Sequence, residues 1–275
     1  MKQYTSLYFV GAGGIGMSAL VRYFLAKGYK VAGYDRTQSP LTTELKTEGL
    51  EIVYEESVES IPDYCRNPET TLVVYTPAIP ASHAGLVYFR EHSFRVVKRA
   101  ELLGLITQSS KGLCFAGTHG KTTTSSMAAH IFHESPIGCN AFLGGILRNY
   151  NSNLILSEQS PFTVIEADEY DRSFHWLHPY MAVVTATDPD HLDIYGTEEA
   201  YLESFARFTS LIQPGGCLIM KKGIKLVPSV KENVKIYTYS ARDGGDFHAG
   251  NIRIGDGTIV FDFVMPEGSV ADIEL

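Results

Sequence analysis

The run Gly117-Thr118-His119-Gly120-Lys121-Thr122-Thr123-Thr124 carries the residue types that hold a nucleotide by its phosphates. Its core, Gly120-Lys121-Thr122, is the G-K-[ST] of a phosphate loop. Backbone amides cradle phosphates, the lysine reaches the β and γ oxygens, and the threonine hydroxyl binds Mg2+. Phe115 stands where the usual pattern has its first glycine, and Gly117 is the nearer substitute. A threonine-rich helix cap is the plainer reading. A lysine at a helix N-terminus opposes the helix dipole, however, so Lys121 needs an anion, and ATP or a similar phosphate supplies one.

A second cluster, Gly11-Ala12-Gly13-Gly14-Ile15-Gly16, satisfies G-x-G-x-x-G. Such glycines give a tight turn, close backbone approach, and a pyrophosphate set at a helix N-terminus. Asp35, nineteen residues past Gly16, ends the next strand and is placed to accept from a ribose hydroxyl. The alternative is a plain strand-to-helix turn. The motif leaves the nucleotide open: NAD is the default, and any nucleoside diphosphate uses the same dipole and amides.

Two acidic runs follow, Glu166-Ala167-Asp168-Glu169-Tyr170-Asp171 and Asp188-Pro189-Asp190-His191-Leu192-Asp193. Hard carboxylate oxygens suit Mg2+, which keeps several waters and takes one or two protein ligands besides phosphates. One or two of these acids are therefore expected to hold metal. The rest read as solvated loop charge or helix caps. His191, between two aspartates, is better placed than most of the histidines. Only His119, inside the phosphate loop, shares its functional reading.

Each cluster needs a strand before it and a helix after it. Residues 7–10, 29–34 and 72–75 read as buried strands, and 17–27 as a helix stopped by Gly28. Strand-helix-strand repetition predicts a parallel sheet covered on both faces. Residues 97–106 read as a strand end and a helix. The polar break QSSKG (108–112) sets a domain boundary, giving domains 1–107 and 108–275. In the second, 113–116, 162–165, 181–185 and 217–220 read as strands and 199–211 as an amphipathic helix. The alternating runs of 251–264 turn at Asp256-Gly257, a hairpin signal. The expected class is thus α/β: a Rossmann-like parallel-sheet domain, then a P-loop-type domain with an antiparallel extension.

Composition narrows the function classes. The 275 residues are 44% apolar and 20% charged, which is ordinary for a globular chain. With 23 basic and 31 acidic residues the net charge is −8, against a bulk-basic nucleic-acid binder. The four cysteines are widely spaced with no C-x-x-C, which favours a reducing cytosol over disulfides or structural zinc. No signal peptide or apolar run near the 18 or so residues of a membrane span is present in the sequence.

GAGGIGMS (11–18), RAELL (99–103), GTHGKTTT (117–124), EADEYDRSF (166–174) and DPDHLDIYG (188–196) together resemble the Mur ligase family. The resemblance spans nearly the whole chain, and the GIGMS form is nearest the branch that adds L-alanine to UDP-N-acetylmuramate. It implies that the first domain binds the UDP of a sugar nucleotide rather than NAD. Gly11, Gly13, Gly14, Ile15, Gly16, Met17 and Ser18 match the loop at the pyrophosphate, and Asp35 a second-strand acid near the nucleoside. Gly117, Thr118, His119, Gly120, Lys121, Thr122 and Thr123 match the ATP phosphate loop. Thr122 and Glu166 match the ligands of one magnesium, and His191 matches a histidine at a second. Lys121, Glu166 and His191 are the implied catalytic set.

The implied reaction is carboxylate activation in peptidoglycan precursor synthesis. The lactyl carboxylate takes the γ-phosphoryl of ATP, and the alanine amine displaces phosphate from the acyl phosphate. Two departures stand out. Several relatives carry a carbamylated lysine where this chain has a place near Phe205 and no lysine within 194–220. An amino-acid-binding C-terminal domain does not follow, so the sequence reads as a fragment of a longer enzyme that barely turns over alone. Three other readings remain: a ligase attaching intact tripeptide to the same sugar, an NAD-dependent oxidoreductase, and a nucleotide-binding regulatory module.

Overall fold

The computed structural model of the chain describes residues 3–242, 244–255 and 257–275. They form two compact units. One runs to Ser110 and takes in Ser125–Ile165; the other is made of Lys111–Thr124 and Glu166–Leu275.

The first unit begins with β1 (Ser6–Val10), α1 (Ile15–Ala26), β2 (Lys30–Tyr34), α2 (Pro40–Thr47), β3 (Glu51–Val53), β4 (Thr71–Tyr75), α3 (Ala84–Glu91), β5 (Arg95–Lys98) and α4 (Arg99–Gln108). The five strands make a parallel sheet in the order β3-β2-β1-β4-β5. All five residues of β1 are buried, as expected for a central strand covered on both faces. Tyr8, Val10, Ala32, Val73, Phe89 and Phe94 share one core cluster. The helix starts are encoded locally. Ser39 and Thr42 form a reciprocal capping box with Pro40 at the first position of α2. His83 Nδ1 accepts the Leu86 N–H at the start of α3.

The chain continues through β6 (Lys111–Ala116), α5 (Lys121–Glu134), β7 (Asn140–Leu147), β8 (Ser152–Ile155) and β9 (Phe162–Glu166). The polar break is therefore shorter than its composition predicts, since Lys111 and Gly112 already belong to β6. In the first unit β7 pairs antiparallel with β8 and parallel with β9. Helix α1 packs on β7 and β8, with the Tyr23 and Phe142 rings 5.1 Å apart.

The second unit adds β10 (Pro179–Val184), α6 (Leu192–Tyr195), α7 (Glu198–Ser210), β11 (Cys217–Lys221), β12 (Lys235–Ser240), β13 (Phe247–Gly255), β14 (Thr258–Met265) and β15 (Gly268–Glu274). Strands β6, β10, β11 and β12 run parallel in that order. A parallel contact joins β12 to β13, and β13, β14 and β15 are antiparallel. The antiparallel extension is thus present; Asp256, assigned to its first turn, lies outside the described residues. The α/β architecture is the one the sequence predicts. No helix among the described residues is long and apolar enough to cross a membrane.

Candidate nucleotide and metal site

The phosphate-loop motif occupies the turn from β6 into α5. Gly117 is buried at φ +134°, and a Cβ there would fall 2.2 Å from Thr185 Oγ1 and 2.8 Å from the Ala186 nitrogen, so only glycine fits. The loop is fastened to the segment after β10. The Thr118 N–H donates to the Ala186 carbonyl at 3.1 Å, and Thr118 Oγ1 donates to the Asp188 carbonyl at 2.7 Å. Thr185 Oγ1 donates to the His119 carbonyl at 2.5 Å. His119, Gly120, Thr122 and Thr123 are left exposed on the outer side.

Two side chains of α5 reach the first acidic run. Lys121 Nζ donates to the Gly117 carbonyl and to Glu169 Oε1, both at 2.8 Å. Thr122 Oγ1 donates to Glu166 Oε1 at 3.0 Å. The run is itself anchored, because the Ala167 N–H donates to the Phe115 carbonyl of β6 at 2.8 Å. The anion that Lys121 needs is therefore present within the chain, at Glu169. Among the acids without a metal role, the sequence reading expects solvated loop charge or helix caps. Glu169 departs from it: the residue is 1% exposed, and its Oε2 has no hydrogen-bond partner among the described residues. Burial pushes its carboxyl above the ordinary range while Lys121 pulls it down.

Asp171 and Arg172 follow in the left-handed region, at φ 50° and 55°. The Arg172 guanidinium lies over the Tyr195 ring at 4.8 Å. His191 also has φ 52° and precedes the short α6. Its N–H donates to Asp190 Oδ1 at 2.7 Å, and its ring meets Tyr170 edge-on at 5.2 Å. The second acidic run thus meets the first through Tyr170. Phe205 is fully buried and edge-on to Phe174 at 5.2 Å, so the position near which the resemblance implies a modified lysine in several relatives is apolar here.

A hydroxyl and a carboxylate oxygen meeting beside a lysine are a donor set that suits a hard divalent cation. Among the described residues no group of three His, Cys, Asp or Glu side chains is set to hold a metal ion alone. Mg2+ takes one or two protein ligands, its remaining ones being water and phosphate oxygens.

The other glycine loop belongs to the first unit. The Gly11 and Ala12 N–H groups both donate to the Tyr34 carbonyl, at 2.8 and 3.0 Å. The Gly13 N–H donates to Asp35 Oδ2 at 2.7 Å, and Asp35 Oδ1 accepts from the Thr37 N–H at 3.0 Å. Asp35, which the sequence reading sets at a ribose hydroxyl, is seen here shaping the loop. Gly11, Gly14 and Asp35 line a cavity of about 430 Å3 together with Tyr34, Thr76 and His83. Gly14 and Ile15 are exposed, whereas Met17 and Ser18 are buried beneath the turn. Gly16 makes room for Arg99, whose guanidinium takes the place a Cβ would need.

Sequence reasoning missed four supports. Glu169 and Arg99 stood inside quoted motifs, and only their burial and approach identify their parts. Tyr195, whose hydroxyl donates to the Glu169 carbonyl at 2.5 Å, likewise stood inside the quoted 188–196 motif without a part of its own. Asn153, whose Nδ2 donates to the Ile15 carbonyl at 2.6 Å, had no local signal.

Two family models match the chain in succession. The Mur ligase middle domain matches residues 115–275, more than half of the chain, and the Mur ligase family catalytic domain matches 6–111. UDP-N-acetylmuramate--L-alanine ligase of Parabacteroides distasonis is 66% identical over all of this chain and 60% of its own length. The protein of the same name from Phocaeicola vulgatus is 65% identical over 98% of this chain and 59% of its own. The chain therefore spans about three fifths of the length of these curated relatives. Two solved structures share the fold. UDP-N-acetylmuramate-alanine ligase from Thermotoga maritima is 23% identical with a TM-score of 0.79, over 98% of this chain and 60% of that one. UDP-N-acetylmuramate:L-alanyl-gamma-D-glutamyl-meso-diaminopimelate ligase from Neisseria meningitides is 21% identical with a TM-score of 0.82, over 98% and 87%. On the middle-domain match alone, which the curated relatives extend to the whole length of the sequence, this chain belongs to the Mur ligase family.

Proposed function

We propose that this chain is the nucleotide-binding part of an ATP-dependent ligase. The ligase joins L-alanine to the lactyl carboxylate of UDP-N-acetylmuramate in peptidoglycan precursor synthesis. One observation carries the reading: at the turn from β6 into α5, Thr122 Oγ1, next to Lys121, donates to Glu166 Oε1 at the end of β9 at 3.0 Å. The names of the relatives at 66% and 65% identity support the alanine-adding branch over tripeptide attachment.

In this reading residues 1–107 hold the sugar nucleotide and 108–275 hold ATP. Within the Gly11–Ser18 turn the start of α1 is what meets the pyrophosphate, the Gly11, Ala12 and Gly13 N–H groups being engaged within the loop. The loop 117–123 does the same for the ATP phosphates, and Lys121 balances charge on the β and γ oxygens. Thr122 and Glu166 would hold one Mg2+ and His191 a second, supplying charge neutralisation to the phosphates. Catalysis of phosphoryl transfer is then positioning and electrostatics, since the carboxylate needs no activation by a base. The acyl phosphate gives the amine a good leaving group. A cytoplasmic location belongs to this reading, and the free thiols of Cys65, Cys114, Cys139 and Cys217 are compatible with it.

Calorimetric titration of this chain with UDP-N-acetylmuramate tests the reading, with NAD as the comparison. Saturable binding of the sugar nucleotide, abolished by Gly11→Asp, is the expected outcome. Binding of NAD with none of the sugar nucleotide would overturn it in favour of an oxidoreductase.

A further inference from the structure

The Lys121 side chain is held by two acceptors of the chain itself. An ammonium has three N–H donors. Two of them are engaged, by the Gly117 carbonyl and Glu169 Oε1, each at 2.8 Å. Both acceptors are rigid. Gly117 is wedged against Thr185 and Ala186. The Glu169 backbone is pinned at its carbonyl, which accepts from the Tyr195 hydroxyl at 2.5 Å and the Arg172 N–H at 3.0 Å. A lysine stem is flexible, and two fixed acceptors remove that freedom and leave the third N–H in one direction.

We propose that Glu169 is a positioning residue that tethers Lys121 at the loop, so that the remaining N–H of the ammonium meets a phosphate oxygen of the bound nucleotide. The proposal rests on reading residues 117–123 as the ATP loop. A carboxylate kept only for structure should have both oxygens satisfied, yet Glu169 Oε2 is buried without a hydrogen-bond partner among the described residues. Lys121 is the ion-pair partner of this carboxylate among the described residues. Movement of Lys121 away from Glu169 would strand a buried charge, so the lysine stays tethered when the nucleotide binds.

Competitive reductive methylation of the 275-residue chain, read by mass spectrometry, tests the tether without any nucleotide. In Glu169→Ala, Lys121 should react about ten-fold faster than in the wild type, with Lys27 and Lys46 unchanged as references for folding. Glu169→Gln, whose amide oxygen still accepts, should lie between the two. Equal Lys121 reactivity in wild type and folded variants overturns the tether.

A double-mutant cycle with MgATP tests the positioning. Glu169→Gln should weaken ATP binding about ten-fold in the wild type and not at all beside Lys121→Met. Additive losses overturn the proposal. If ATP leaves Lys121 labelling unchanged in wild type while the contrast between variants persists, the ATP reading of the loop fails and the tether stands.

Discussion

Gly13 and Asp35 are joined across the first glycine loop: the Gly13 N–H donates to Asp35 Oδ2 at 2.7 Å. The same carboxylate receives the Thr37 N–H through its other oxygen, so one acid closes two turns. Asp35→Ala should therefore cost about 1.5–3 kcal/mol, the range for hydrogen bonds to a charged group. It should also weaken sugar-nucleotide binding, because the backbone amides lose their set. Asp35→Asn, which can still accept from Gly13, should cost less. Urea unfolding and calorimetry on both variants check this. An alanine variant of wild-type stability and affinity would show that the loop holds its own shape.

The site was legible where local chemistry fixes it. The strand-to-helix turns at Gly11–Gly16 and Gly117–Lys121 follow from glycine spacing between apolar runs, although both helices start earlier than expected, α1 at Ile15 rather than Met17 and α5 at Lys121, inside the phosphate-loop motif. The antiparallel extension was legible from two alternating runs around the Asp256-Gly257 turn signal. The hairpin of β7 and β8 was not, because Gly144, Gly145 and Arg148 break the alternation that marks a strand. Glu169 was read from charge alone, and charge does not reveal burial. Asn153 lies 138 residues from its partner Ile15, a distance no local pattern spans.

Gly117→Ala should disable the second unit's loop. Its φ of +134° disfavours any L side chain, and the new methyl would meet Thr185 Oγ1 and the Ala186 backbone. Strain and overpacking of this kind typically cost about 1–3 kcal/mol each. Thermal unfolding should show the loss, and ATP binding should fall below detection. Retained ATP affinity in this variant would mean the loop conformation is not the binding one.

Thr122 and Glu166 give a prediction that depends on magnesium. Thr122→Val removes the hydroxyl that meets Glu166 Oε1. ATP affinity with Mg2+ present should drop about ten-fold, roughly 1.4 kcal/mol, and affinity in EDTA should change little. Glu166→Gln should behave alike, and Thr122→Ser should keep wild-type affinity. Equal losses with and without Mg2+ would falsify the metal assignment for this pair.

His83 predicts an acid-side loss of stability in the first unit. Burial holds its pKa below the ordinary imidazole value, with the Glu56 carboxylate pulling the other way. Its Nδ1 must also stay unprotonated to accept the Leu86 N–H at the start of α3. The unfolded chain therefore takes up the proton at higher pH than the folded one. The contribution of the neutral ring is complete above about pH 6.5 and is lost as pH falls through the folded value. His83→Asn keeps a capping acceptor and removes the titration. Urea midpoints should therefore fall less between pH 7 and about pH 5 in the variant than in the wild type. Parallel pH profiles would place the acid sensitivity elsewhere.

Asn153 ties β8 to the glycine loop from across the first unit. The residue is 2% exposed, and its Nδ2 donates to the Ile15 carbonyl at 2.6 Å. Ser18 Oγ donates to the same carbonyl at 2.7 Å, so Ile15 O at the first residue of α1 holds two side-chain donors. That carbonyl lies one residue past Gly14, and its orientation sets the direction of the N–H groups at the start of the helix. Asn153→Ala removes one donor and leaves the carbonyl satisfied by Ser18, which should cost about 1–2 kcal/mol. Asn153→Asp sets a carboxylate against the carbonyl, acceptor against acceptor, and should cost more. Both should weaken UDP-N-acetylmuramate binding while leaving ATP binding unchanged, since Asn153 and Ile15 lie in the same unit and the phosphate loop in the other. Equal losses for both ligands would show a general loss of folding rather than a loosened turn.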